Sequence, residues 1–180
     1  MANERKHRHI SSFQIIILGF LSVILTGSLL LMLPFATRSG EWAAFSDALF
    51  TATSAVCVTG LVVQDTAMYW SIFGKTVILI LIQIGGMGIV TVAVSVAILS
   101  GRKIGLMQRS TMKEAVSAHH VGGIVRLTKF ILRTTLLIEM TGALILMPGF
   151  VKEFGPLRGI GYSFFHSVSA FCNAGLTSWV

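Results

Sequence analysis

The stretch DALFTATSAVCVTGL, residues 47–61, occurs a second time in altered form as YSFFHSVSAFCNAGL, residues 162–176. The two copies lie 115 positions apart, and six of their fifteen positions are identical. The same offset carries the hydrophobic run of residues 13–33 onto a second hydrophobic run at residues 128–148. Because a repeated sequence indicates a repeated structural unit, we predict two units in this chain. Each has a long hydrophobic helix, a connection and a short apolar segment that ends in Gly-Leu.

The composition excludes a soluble domain. Of the 180 residues, 54% are hydrophobic and 12% are charged, and the mean hydropathy is +0.82. The formal net charge is +7, but the basic residues cluster beside the hydrophobic runs, which indicates orientation in a lipid bilayer and not a nucleic-acid partner. The two cysteines, Cys57 and Cys172, occupy equivalent positions of the repeat, and we predict that they are small buried side chains without a disulfide framework.

Three hydrophobic runs are long enough to span a bilayer, whose hydrocarbon core of ~30 Å needs about 20 helical residues. Residues 13–33 and 77–99 carry no charge, and residues 130–147 are closed by Pro148-Gly149. The predicted fold class is therefore an all-α integral membrane protein. Its repeating unit is predicted to be a helix, a re-entrant pore loop and a second helix, as in potassium channels.

The short apolar segments carry the predicted functional site. Residues 48–57 are too few to span a membrane but suit a re-entrant half-helix, with Asp47 as its predicted N-cap. The residues that follow predict extended backbone, which at membrane depth is tolerated only inside protein or along a water-filled path. We therefore predict a selectivity filter whose ion-binding residues are Val58, Thr59, Gly60 and Leu61 (the first filter segment) and Asn173, Ala174, Gly175 and Leu176 (the second filter segment).

The predicted organisation is one and a half units: residues 1–100 are the first unit, residues 101–123 a cytoplasmic loop, and residues 124–180 an incomplete second unit. Ten of the 14 basic residues lie in residues 1–9, in residues 100–129 or at Arg133. The positive-inside rule therefore predicts a multi-pass protein of the cell membrane with a cytoplasmic N-terminus. Both short segments then enter from the outer face.

A half-helix that enters from outside points its C-terminus at the membrane centre. Exposed carbonyl groups and the negative end of the helix dipole favour a cation at that point. Backbone carbonyls can also replace the hydration shell of potassium, and the filter segments contain no carboxylate that would indicate another kind of selectivity. The residues therefore predict a cation-conducting path, with potassium as the favoured ion.

Two further features of the spanning runs are candidates for gating or packing. Gly85, Gly86 and Gly88 predict either close packing between helices or a flexible section beside the path. Glu139 lies inside the third run, where a carboxylate predicts either a structural hydrogen bond to a neighbouring helix or a role in the ion path.

Four motifs carry a resemblance to a known family: SAVCVTGL at residues 54–61, SAFCNAGL at 169–176, LIQIGGMGIVT at 81–91 and GRKIGL at 101–106. Together they make the chain similar to the Trk/Ktr/HKT superfamily of potassium transporters. The closest resemblance is to the N-terminal part of the membrane (KtrB-type) subunit of bacterial Ktr systems.

The resemblance implies four such units in one polypeptide around one pore, each giving one filter strand with a key glycine. Gly60 and Gly175 would be two of those glycines. It also implies potassium as the transported ion, sodium-stimulated uptake, a homodimer, and a cytosolic nucleotide-binding regulatory ring as partner. Since the chain holds only one and a half units, either it is the N-terminal part of a longer protein, which we expect, or several copies of it must assemble.

Alternative functions are a non-conducting membrane scaffold and a proton-coupled carrier that uses Glu139. An intramembrane enzyme built on Cys57 and Cys172 lacks an evident base, because His166 lies six residues before Cys172 and its counterpart in the repeat is Thr51. We therefore predict transport without a chemical reaction and without a bound cofactor, so the protein is not predicted to be an enzyme.

Overall fold

The computed structural model describes residues 12–89, 91–94 and 124–178. In this part of the chain the structure is helical and contains no β-strand, in agreement with the predicted all-α class. The predicted cytoplasmic loop, residues 101–123, lies outside the described residues. The helices are α1 (Ser12–Met32), α2 (Phe45–Val56), α3 (Ile72–Met87), α4 (Ile124–Phe154) and α5 (Pro156–Phe171).

Helix α1 follows the first predicted span closely. It ends just before Pro34, which opens a 3₁₀ turn, Pro34–Ala36, instead of continuing the helix. The chain after this turn is fastened to the connection before α3, since the amide of Ser71 donates to the Ala36 carbonyl at 2.8 Å. The amide of Arg38 likewise donates to the carbonyl of Tyr69 at 2.9 Å. The two connections of the first unit are thereby joined to each other at one end of the helices.

Helix α2 is the first predicted half-helix, but its start differs from the prediction. Its N-cap is Ala44, without a side-chain hydrogen bond, so the prediction that Asp47 is the N-cap is wrong. Asp47 instead lies in the first turn, where a carboxylate interacts favourably with the positive end of the helix dipole. Its Oδ2 also accepts a 2.8 Å hydrogen bond from Nε2 of Gln64, beyond the filter segment.

Helix α3 is shorter than the uncharged run that predicted it. The hydroxyl of Ser71 caps its start by accepting a hydrogen bond from the amide of Gly74 at 3.2 Å. The helix ends at Gly88, whose φ of 78° lies outside the helical region, and helical residues follow at 89 and 91–94. The second predicted spanning helix, residues 77–99, is therefore not continuous, because it breaks at Gly88, and residues 95–99 lie outside the described part.

The first helix of the second unit is longer than predicted. Helix α4 has 31 residues and runs through Pro148-Gly149, so the prediction that these residues end the helix is wrong. The chain turns at Gly155, and α5 begins with Pro156 at its first position, which suits a helix start. Residues 156–161, predicted as part of a connection, are therefore the beginning of α5.

Close contact between α4 and α5 explains this difference. A Cβ atom at Gly159 would lie 2.6 Å from the Cα and amide nitrogen of Val151. Only a glycine lets the two helices approach so closely. The rings of Phe150, Phe154 and Tyr162 pack at the same end, with Phe154 and Tyr162 edge to face at 5.2 Å. Contacts between α4 and α5 therefore stabilise this helical hairpin, and such contacts cannot be predicted from either helix alone.

Two of the described helices are long and apolar enough to cross a membrane, over Phe13–Met32 and Arg126–Phe154. Large apolar side chains are exposed on both, Phe13 on α1 and Ile145 on α4 among them, as expected for surfaces that face lipid or other protein. The described helices of the two units meet where α3 packs against α5. The core beside this contact includes Trp70, Ile78 and Leu176, which are almost fully buried.

Candidate functional site

The first filter segment begins with a tight turn that caps α2. The amide of Val58 donates to the carbonyl of Ala55 at 3.3 Å, and the amide of Thr59 donates to that of Ser54 at 3.0 Å. This pair of bonds is the Schellman arrangement, in which the residue after the C-cap is left-handed. Here that residue is Val58, with a φ of 56°. A β-branched residue is rarely found in this conformation, so the surrounding structure imposes it.

The second filter segment begins with the same turn. The amide of Asn173 donates to Ala170 at 3.0 Å, the amide of Ala174 donates to Ser169 at 2.7 Å, and Asn173 has a φ of 58°. The prediction that the backbone is extended is therefore wrong at Val58 and at Asn173. The prediction of freely exposed carbonyls at the helix ends also needs correction, since the chain's own amides satisfy two of them in each unit.

A serine in each short helix anchors the far end of its filter segment. Ser54 Oγ donates to the carbonyl of Leu61 at 2.7 Å, and Ser169 Oγ donates to that of Leu176 at 2.8 Å. Both serines and both leucines belong to the six identical positions of the repeat. Each filter segment is thus a closed loop that starts and ends on the same helix. Thr59 adds one bond in the first unit, where its Oγ1 donates to Ser54 Oγ at 3.1 Å.

The two filter segments meet at their glycines. Gly60 has a φ of 72° and Gly175 a φ of 65°, a region that side-chain-bearing residues rarely adopt. A Cβ at Gly60 would lie 2.6 Å from the carbonyl oxygen of Ala174, and a Cβ at Gly175 would lie 3.6 Å from the Cα of Gly60. Both positions therefore require glycine for conformation, and Gly60 requires it for space as well.

Two adjacent glycines of α3 receive the ends of the two short helices. A Cβ at Gly85 would overlap the backbone carbonyl oxygen of Val56, the last residue of α2. A Cβ at Gly86 would overlap the side chain of Cys172, the C-cap of α5. The packing expected of these glycines is present, and it links both units through one turn of α3. Gly88, in contrast, has open space around it.

Glu139 lies in the same region and is 4% exposed. Its Oε1 accepts a 2.8 Å hydrogen bond from Nε2 of Gln83 in α3, and its backbone carbonyl accepts one of 2.6 Å from Ser167 of α5. The carboxyl group therefore makes a hydrogen bond to a neighbouring helix, as one of the two sequence alternatives expected. A role of Glu139 in the ion path stays a prediction.

The two cysteines differ in burial. Cys57 is exposed and Cys172 is half-buried, so the prediction of two buried side chains is wrong for Cys57. His166 directs its Nδ1 to the carbonyl of Tyr162, at 2.9 Å. Within the described residues no group of three His, Cys, Asp or Glu side chains is arranged to hold a metal ion.

Two contacts beyond the filter segments were not predicted from the sequence. In the first unit Gln64 reaches back to Asp47, as described above. In the second unit Lys75, from α3 of the first unit, donates from Nζ to the carbonyl of Ser178 at 2.8 Å and to that of Ala67 at 2.9 Å. The repeat contained one sign that the contacts beyond the two segments differ, because the position equivalent to Asp47 is Tyr162.

Comparison with known proteins places these features in a family. Residues 2–178 match the TrkH family, described as cation transport protein. The chain is 44% identical to the potassium/sodium uptake protein NtpJ of Enterococcus hirae, over 96% of this chain and 38% of that protein. Ktr system potassium uptake protein B of Bacillus subtilis is 44% identical, over 92% of this chain and 37% of the relative.

The same-named protein of Vibrio alginolyticus is 41% identical, over 90% of this chain and 35% of its own length. The chain thus spans less than two-fifths of the length of these relatives.

Proposed function

The chain belongs to the TrkH family of cation transport proteins, and from this premise we propose that its two repeats supply two strands of a selectivity filter for potassium uptake. The names of the three relatives support potassium, since all of them are described as potassium or potassium/sodium uptake proteins. The filter residues are those predicted from the sequence, residues 58–61 and 173–176.

The observation that carries this proposal concerns backbone carbonyl groups. In the described part of the chain, no hydrogen bond reaches the carbonyl oxygens of Val58, Thr59 and Gly60. The same holds, within that part, for residues 173–175 of the second filter segment. A carbonyl oxygen that accepts no hydrogen bond from the chain can coordinate a dehydrated cation, so these six oxygens are suited to that role. The capping turns and serine anchors hold both ends of each segment on its own short helix and fix the position of the residues between them.

The two anchored carbonyls have a different part in this proposal. Those of Leu61 and Leu176 each accept one serine hydrogen bond, and a carbonyl oxygen has two lone pairs. Each keeps one lone pair for an ion while its position is held by the serine. The glycine contact, at Gly60 and Gly175, brings the two filter segments next to each other.

The placement in the membrane follows from the same proposal. The protein crosses the cell membrane several times, with its N-terminus in the cytoplasm, and α2 and α5 are re-entrant helices that enter from outside. Exposed apolar surfaces on α1 and α4, and the clustering of basic residues at positions 1–9 and 100–129 of the sequence, support this arrangement.

The proposed partners rest on the names of the relatives. Two of the relatives are named as proteins of a Ktr system, which supports a membrane subunit that works with other components. We include in the proposal a homodimer bound to a cytosolic nucleotide-binding regulatory ring, and uptake stimulated by sodium. Potassium is the substrate and not a resident cofactor.

The experiment measures potassium uptake in a bacterial strain that lacks its own uptake systems. The complete gene product that contains this chain is expressed unchanged and with Gly60→Ser. The matched control is Gly149→Ser, because a Cβ at Gly149 meets no atom within 4 Å. We expect Gly60→Ser to reduce the uptake rate or to admit sodium, since the new side chain overlaps Ala174 and strains the backbone.

Membrane content of each variant is measured by quantitative blotting so that rates refer to equal amounts of protein. If Gly60→Ser matches Gly149→Ser in both rate and ion preference, the filter assignment is wrong. Expression of residues 1–180 alone tests the expectation that this chain needs further sequence to conduct.

A further inference from the structure

We propose that Lys75 is a positioning residue that holds the outer end of the second filter segment and thereby affects the ion preference of the path. The inference rests on the proposed function, because it assumes that this segment binds ions. Lys75 belongs to the first unit, near the start of α3, whereas the segment it holds belongs to the second unit.

The contact is a hydrogen bond to the backbone just beyond the filter segment. Lys75 Nζ lies 2.8 Å from the carbonyl oxygen of Ser178, two residues after Leu176. A second bond of 2.9 Å joins the same nitrogen to the carbonyl of Ala67, in the connection that precedes α3. Ser178 is 2% exposed, so Lys75 binds a residue that is buried in the protein.

The surroundings of the ammonium group favour this position. Two of its three donors are directed at neutral carbonyls, and charged donors make stronger hydrogen bonds than neutral ones. The ring of Tyr162 lies 5.7 Å from Nζ, within the range of a cation–π contact. Two charged side chains act electrostatically on the ammonium group of Lys75: Arg38 disfavours its positive charge, and Asp65 favours it. The long side chain is thus restrained by groups of both units.

The first unit closes its filter segment without help from another unit. There Gln64, three residues after Leu61, donates to the carboxylate of Asp47 at the start of the unit's own short helix. In the second unit the position equivalent to Asp47 is Tyr162, which cannot accept in the same way as a carboxylate. Lys75 takes over the closing contact, and it reaches the backbone directly.

Helix α3 therefore contacts the second filter segment at both ends. Gly86 lies against Cys172 before the segment, and Lys75 binds Ser178 after it. Eleven residues of helix separate the two contacts, a rise of ~16 Å. Removal of the lysine frees the chain just beyond Leu176, while the contact of Gly86 with Cys172 and the bond from Ser169 to Leu176 are kept. Such a change alters the spacing of carbonyl oxygens more than it alters the fold.

The test uses the complete gene product in the strain and assay described above, with sodium present as a competitor. Lys75→Met removes the ammonium but keeps an apolar chain of similar length. We expect the ratio of potassium to sodium uptake to fall about tenfold, from the loss of charged hydrogen bonds. The maximal potassium rate per molecule is expected to stay within about twofold of that of the unchanged protein.

Matched variants separate this role from a general loss of stability. Lys152→Met removes an exposed lysine of α4 and is expected to leave the ratio unchanged. Lys75→Arg keeps the charge and the donors, so we expect it to recover most of the ratio. Should Lys75→Met fail to reach the membrane, Lys75→Gln, which keeps N–H donors without the charge, takes its place, with a smaller fall of the ratio expected.

The outcomes distinguish this inference from the proposed function. In one outcome Gly60→Ser changes the uptake rate or the ion preference, but Lys75→Met, or Lys75→Gln in its place, has the same ratio of potassium to sodium uptake as Lys152→Met. The proposed role of Lys75 is then wrong, and the filter assignment is supported. If Gly60→Ser changes neither the uptake rate nor the ion preference, the filter assignment and the role of Lys75 are both wrong. A fall in the ratio for Lys75→Met that Lys75→Arg restores supports both.

Discussion

The first and second units of this chain have nearly the same filter backbone but different surroundings. In both, a left-handed residue follows the short helix and a serine binds the leucine carbonyl four residues after the C-cap. The closing contact beyond the segment is internal to the first unit, through Asp47 and Gln64, and external in the second, through Lys75. The burial of an identical phenylalanine also differs, since Phe50 is 39% exposed and Phe165 only 4%.

This difference shows which parts of a repeat have to stay alike. Backbone turns and carbonyl anchors decide where the ion-facing oxygens lie, so both copies need the same serine, glycine and leucine. The outer contacts differ, because the second unit uses Lys75 of α3, whereas the first uses Gln64 of its own connection. Predictions on the two units can therefore be made in pairs.

The largest difference is expected between the two filter glycines. Alanine at either position must adopt a positive φ, which costs roughly 1–2 kcal/mol. At Gly60 the new Cβ also overlaps the Ala174 carbonyl, whereas at Gly175 its nearest atom is 3.6 Å away. We expect Gly60→Ala to reduce potassium uptake about tenfold more than Gly175→Ala, from an added strain of about 1–3 kcal/mol. Equal losses would show that the asymmetric contact is unimportant.

A smaller effect is expected at the glycine pair of α3. Gly85→Ala meets backbone of Val56, which cannot move away, whereas Gly86→Ala meets mainly the side chain of Cys172. We expect Gly85→Ala to lower the thermal midpoint in detergent more than Gly86→Ala. Adding Cys172→Ala should recover part of the loss in Gly86→Ala, because it removes the overlapping sulfur. Absence of any recovery would contradict the contact between α3 and the second unit.

Glu139 gives a prediction that separates its two alternative roles. Glu139→Gln keeps an oxygen that can accept from Gln83, so a structural carboxyl predicts uptake within about twofold of the unchanged protein. Glu139→Leu leaves the buried amide of Gln83 without this acceptor and is expected to cost about 1–3 kcal/mol of stability. Both variants are compared by uptake and by thermal unfolding. A severe loss of uptake in Glu139→Gln with normal stability would favour the ion-path role.

The smallest difference is expected between the two serine anchors. Ser54 and Ser169 are equally buried, at 4% exposure, and make bonds of 2.7 and 2.8 Å to equivalent carbonyls. Removal of either hydroxyl by alanine is expected to cost about 1 kcal/mol. The thermal midpoints of both variants should therefore fall, that of Ser54→Ala slightly further because Ser54 Oγ also accepts a hydrogen bond from Thr59. A larger fall for Ser169→Ala would contradict the equivalence of the two anchors.

Much of this arrangement could be predicted from the sequence because it is local or repeated. The repeat located both short helices and both filter segments, and its identical positions include the serines, glycines and leucines that form the anchored loops. The hydrophobic runs predicted α1 closely and α4 in part. These features depend on residue type and spacing within one stretch of chain, which composition and periodicity report directly.

Tertiary structure decided what depends on a second stretch of chain. Val58 and Asn173 are a local exception, because bonds within one short stretch of chain close each loop around them although the residue types predict extended backbone. Helix α4 continues past Pro148, and α5 packs against it. Asp47 accepts a hydrogen bond from Gln64 and does not cap the helix. Lys75 reaches Ser178 across 103 positions, so neither residue carries a local sign of the contact. Contacts of this kind are determined by which segments pack together, and only the folded chain brings those segments within hydrogen-bonding distance.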